Sequence, residues 1–163
     1  MAFELIVEDG RIISGANSYA SKEQIDDFIE NEGFVPPTNV YYLASKAAKR
    51  LDGKYTWRGR KVSKLQTMQW PRTALGPCNI DIAENVIPPQ LIQAQLYFLA
   101  DALTNEGEEG IRGDQALRRK KVGNLEIEFF DSKSSTDSGS GWITDAREML
   151  SDLIGAMFRT QRV

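Results

Sequence analysis

Apolar residues recur at helical spacing in four stretches of this 163-residue chain. In the first, Ile25, Phe28 and Ile29 follow Ser21-Lys22-Glu23-Gln24. That opening has the form of a capping box, in which the first and fourth side chains each satisfy a backbone N–H at the helix start. Acidic residues fill the first turns, where the helix dipole favours them. Gly33 and Pro36-Pro37 end the stretch. The second stripe, Val40, Leu43, Ala44, Ala47, Ala48 and Leu51, predicts a helix from about Asn39 to Leu51, closed by Asp52-Gly53. Its small residues let another helix come close. The third opens on Pro88-Pro89, well placed because a first-turn N–H has no intrahelical partner to lose. Leu91, Ile92, Gln95, Leu96, Leu99 and Leu103, widened by Tyr97 and Phe98, make it the expected core helix. The fourth begins at Trp142 and carries Ala146, Met149, Leu150, Leu153, Ile154 and Met157, which predicts one long C-terminal helix.

A period of two appears once. Leu125-Glu126-Ile127-Glu128-Phe129 alternates apolar and charged residues behind Gly123-Asn124, so 116–130 reads as a β-hairpin. Its basic arm, 118–121, would stand opposite Glu126 and Glu128, which suffices to explain those cations. The rest is connection: a short arm (1–16), an aromatic and basic stretch from Tyr55 to Lys61, turns around Gly76-Pro77-Cys78, and an acidic loop over 105–114. A serine- and glycine-rich segment, 131–141, reads as a flexible linker before the C-terminal helix and tail, 142–163. The expectation is a single domain over 1–163, mainly α, a small helical bundle with a β-hairpin and a C-terminal helix.

Composition narrows the chemistry. A hydrophobic share of 41% and a charged share of 26% suit a soluble domain. No apolar run approaches the ~20 residues of a membrane span. The acidic N-terminus lacks the basic start of a signal peptide, so a cytoplasmic site of synthesis is expected. The chain has no histidine and one cysteine, which excludes His-based nucleophile activation, the usual zinc sites and an internal disulfide. Adjacent acids such as Asp26-Asp27 and Glu108-Glu109 seldom converge on one site and read as solvated, and Gly76-Pro77-Cys78 lacks the lysine of a phosphate loop. No catalytic constellation remains, so the expectation is a non-enzyme with no cofactor and no metal.

Net charge is −3 and unevenly spread. Acids dominate residues 1–37; from Lys46 to Arg72 nine cations face Asp52 alone. Such polarity suits head-to-tail contact between identical subunits, although solvated faces that never meet would look the same.

The order of several landmarks is similar to a known family. These are Asn17-Ser18-Tyr19-Ala20-Ser21 before an acidic helix; Leu51-Asp52-Gly53 through Trp57-Arg58-Gly59-Arg60-Lys61, Gln66 and Trp70-Pro71-Arg72; Ile87-Pro88; and Lys121 to Phe129. Over about residues 15–158 the chain resembles small phage proteins described either as head–tail connectors (adaptors) or as DnaT-like single-stranded-DNA-binding proteins. The connector likeness implies a ring, commonly of twelve subunits, docked on the portal protein of a virion. Such a ring would extend the channel for double-stranded DNA and offer a surface to a neck, stopper or tail-completion protein. It also implies portal attachment through the C-terminal region, Phe158, Arg159 and Arg162 included. The DnaT-like likeness implies a replication protein that binds single strands. A low net charge favours the connector, because a sequence-independent DNA binder is more often basic.

Tyr55, Trp57, Arg58, Arg60 and Lys61, with Arg72, are the candidate contact residues. They could stack on bases and track phosphates, form a subunit interface rich in Trp, Tyr and Arg, or simply pack the core. Gly59 fits a positive-φ turn under all three.

Overall fold

A computed structural model describes residues 3–75, 81–104, 120–122, 125–127 and 140–155. Helix α1 spans Lys22–Glu32 and is capped as its sequence requires. The Ser21 hydroxyl accepts from Gln24 N–H at 3.2 Å, and the Gln24 side chain accepts from Ser21 N–H at 2.9 Å. Gly33, at φ 72°, ends it in the left-handed conformation that glycine adopts without strain. Helix α2 spans Val40–Lys54 and buries the expected stripe. It runs three residues past Leu51, through Asp52-Gly53, because the Asp52 side chain and carbonyl are both engaged by the following loop (below). A glycine inside a helix costs about 1 kcal/mol, which those contacts offset.

Three short strands follow: β1 (Arg60–Lys61), β2 (Arg72–Leu75) and β3 (Asp81–Ile82). They form an antiparallel sheet in the order β1-β2-β3, with Arg60 opposite Thr73 and Ala74 opposite Ile82. This sheet makes the fold mixed, where a mainly helical bundle was expected. Strands of two to four residues carry too few positions for a period to be read. Helix α3, Pro89–Thr104, is the central element and packs against α2 on one side. On the other it meets α4, Gly141–Met149. The hairpin expected over 116–130 is present as β4 (Lys120–Val122) and β5 (Leu125–Ile127), with Lys121 opposite Glu126. Its turn and outer residues, like 131–139 of the predicted linker, lie outside the described residues.

The C-terminal helix is shorter than its stripe predicts. It stops at Met149, and the chain turns through Leu150–Leu153 to pair with the 56–58 segment. Arg58 N–H donates to Leu153 O at 3.0 Å and Gly155 N–H to Thr56 O at 2.7 Å. Leu150 and Leu153 still enter the core, through a turn instead of a helix.

The N-terminal segment is fastened to the body. Leu5 is buried, Val7 bridges Ser18, and Ile6 N–H donates to the Asn17 side chain at 3.0 Å. Glu8 is buried too, its carboxylate accepting from the N–H groups of Gly10, Ile12 and Ile13 at 2.8–3.0 Å. Those bonds hold Ile12 at φ 60°, a conformation a β-branched residue seldom takes.

Candidate nucleic-acid interface

The aromatic and basic stretch divides between interior and surface. Trp57 and Trp70 are 7% and 0% exposed and meet edge to face at 6.1 Å. Tyr55 packs edge-on against Trp57 and against Phe98 of α3. Trp57 Nε1–H donates to Asp52 O at 3.3 Å, which ties the ring to the end of α2. These rings face core neighbours, so base stacking on Trp57 is closed by burial. Arg72, also expected at an interface, is 9% exposed and braces the loops. Its guanidinium donates to Arg58 O and Gly59 O at 2.9 Å each, and to the Gln69 side chain at 3.1 Å. Five fixed donors suit this clamp, and a lysine could not reproduce it.

A buried tyrosine and a half-buried aspartate sit behind the loop. Tyr19 O–H donates to Asp52 Oδ1 at 2.7 Å and accepts from Trp70 N–H at 3.2 Å, while Gln69 N–H donates to Asp52 Oδ2 at 3.0 Å. Burial pushes the Asp52 carboxyl up to about 6, against the hydrogen bonds from Tyr19 and Gln69 and the charges of Lys61 and Arg72. Burial, with the Asp52 charge second, raises Tyr19.

What reaches solvent is charge. Arg58, Arg60, Lys61 and Lys64 are all exposed, on β1 and the turns either side of it. Gly59, at φ 73°, shapes this edge: a Cβ there would stand 1.8 Å from Thr73 O. The adjacent cavity of about 570 Å³ is lined by Arg58 but also by Asp81 and Glu84, so it has no single sign to select an anion. Phe158, Arg159 and Arg162 lie outside the described residues.

An accessible aromatic site exists elsewhere. Phe3 and Tyr42 are 41% and 46% exposed, and their rings meet edge to face at 5.5 Å. The Lys46 ammonium stands 5.7 Å from the Tyr42 ring. Lys49, also exposed, continues the same face of α2, since positions i, i+4 and i+7 share one side of a helix. Sequence reasoning passed over Tyr42 and Phe3. The polar positions of α2 could have flagged Tyr42 beside Lys46, whereas nothing local in the sequence brings Phe3 to it.

Among the described residues no cluster of three or more acidic or cysteine side chains could hold a metal, and no helix is long and apolar enough to cross a membrane. No curated protein and no solved structure matches the chain significantly. A family model described as "Putative DnaT-like ssDNA binding protein" matches residues 3–163. Since that match covers nearly the whole sequence, the chain belongs to this DnaT-like family.

Proposed function

We propose that the chain is a non-enzymatic protein that binds single-stranded DNA, weakly and without sequence preference, on the outer face of α2. The observation that carries this reading is the Phe3–Tyr42 pair beside Lys46 and Lys49: the exposed aromatic rings among the described residues stand together, next to cations. Aromatic faces accept any base and lysines track phosphates, which is the usual logic of single-strand binding. The family description supports it. Exposed Glu4, next to Phe3 in the chain, and a net charge of −3 keep the affinity low.

Fluorescence anisotropy with a labelled oligothymidine at low salt tests it. Tyr42→Ala lowers affinity by about tenfold, in line with the loss of one stacked base. Tyr42→Phe keeps most of it, because the π-face remains. Unchanged binding by Tyr42→Ala places the strand elsewhere.

The acidic and basic poles favour a second reading, the connector. In it, a ring of about twelve copies, a number taken from the connector likeness, docks on a portal protein at a virion neck. It passes double-stranded DNA and receives a neck, stopper or tail-completion protein. Deleting residues 159–163 would then leave the thermal melt unchanged and weaken portal attachment. Absence of the chain from purified virions by mass spectrometry would end this reading.

A further inference from the structure

Leu65 is 91% exposed, at the tip of the turn that follows β1. A single exposed leucine is ordinary. This one is held out by a fixed turn. Leu65 N–H donates to the Ser63 hydroxyl at 3.1 Å, and Ser63 N–H donates to the Gln66 side chain at 3.0 Å. Gln66 is itself anchored, its amide donating to Met68 O and Pro71 O at 3.0 and 3.1 Å. The leucine therefore stands pre-ordered, with exposed Lys61 and Lys64 beside it in the chain.

A complementary receptor lies between α1 and α3. A groove of about 440 Å³ has Phe28, Ile92 and Leu96 among its lining, with Asp27 and Glu32 also on it. Both carboxylates are exposed. The neutral amides of Gln24, Asn31 and Gln93 share the groove with these apolar side chains, and the two carboxylates give it the negative sign that complements an apolar knob with a cationic collar.

We propose that two copies of this chain join head to tail, the Leu65 turn of one seated in the α1–α3 groove of the next. The contact joins two different patches, so it repeats from copy to copy and gives either a closed ring or an open row. A row along a strand would make DNA binding cooperative, which is common for single-strand binders. The contact itself does not rest on the DNA reading and is tested without DNA. Its small size makes it weak, since a stable interface buries far more than one knob.

Sedimentation of the full chain at low salt, from micromolar to millimolar concentration, gives the test. Wild type self-associates as concentration rises. Leu65→Ser, and separately Asp27→Lys with Glu32→Lys, each lower the association constant by about tenfold or more, as for a central contact. All three positions are exposed, so the fold tolerates the changes, and circular dichroism checks this. A mixture of the two variants is decisive. One retains a good groove and the other a good knob, so together they form dimers that cannot extend. Wild type that stays monomeric, variants that associate like wild type, or a mixture that stays monomeric each overturn the proposal.

Discussion

Gln95 shows how one residue can hold separate parts of the chain in register. Its side-chain oxygen accepts from Tyr19 N–H and Ala20 N–H at 2.7 and 3.0 Å. Its side-chain nitrogen donates to Ser18 Oγ and Ala44 O at 2.8 and 3.0 Å. Every capacity of a fully buried amide is thus used, and α3 is bonded both to α2 and to the segment before α1. Gln95→Ala strands two buried N–H groups and a carbonyl, so it lowers unfolding free energy by about 3–5 kcal/mol in denaturant titration. The helical stripe pointed to position 95 as inward, but the partners of a buried amide cannot be read from spacing. Asp52 gives a pH signature. Its folded-state value of about 6 lies above the ordinary 3.8, so between these the folded chain holds a proton that the unfolded chain has released. Stability contributed by this group is therefore full below the ordinary value and lost as pH rises towards 6. Asp52→Asn cannot ionise. The stability difference between variant and wild type, followed by thermal melts from acid to neutral pH, should shift in favour of the variant by about 3 kcal/mol as pH rises.

The elements divide by length. α1 and α3 were legible because caps and stripes agree over eleven and sixteen residues, and local signals add up over such spans. α2 and α4 were recognised but misjudged at their C-terminal ends. In each case contacts distant in the chain decided where the helix stopped: Trp57 and Gln69 of the following loop hold Asp52 at the end of α2, and residues 56–58 pair with residues 153–155 after α4. Strands β1 to β3 left no periodic trace, yet Gly59 was readable as a turn before any strand was seen. Its role is strict. Gly59→Ala would place a Cβ inside the Thr73 carbonyl, and the backbone must shift to relieve it. The variant should melt several degrees lower, with hydrogen exchange quickened in β1 and β2 ahead of the helices; protection equal to wild type there would show that Gly59 is dispensable.

At the scale of the molecule, the candidate site illustrates what sequence can and cannot locate. Trp57 and Arg72 were chosen because such residues are enriched at interfaces, but the same properties suit a core ring and a loop clamp, and in the folded chain both are buried in those roles. Arg58, Arg60 and Lys61 do reach solvent, as charge patterning suggested. The exposed aromatic pair was hidden because Phe3 and Tyr42 meet only after the N-terminal segment docks. The central claim, that this face of α2 takes single strands, makes one demand that a channel-lining subunit does not. Unpaired bases must be preferred to the same phosphates in a duplex, because bases stacked in a helix cannot lie on Tyr42. Anisotropy titrations with a single-stranded oligonucleotide and a duplex of equal length, across a range of salt, test this directly. The expected result is tighter binding to the single strand, with a log–log salt slope of about −1.4 for two lysine–phosphate contacts. Equal or tighter binding to the duplex, or no binding to either at low salt, would contradict the account.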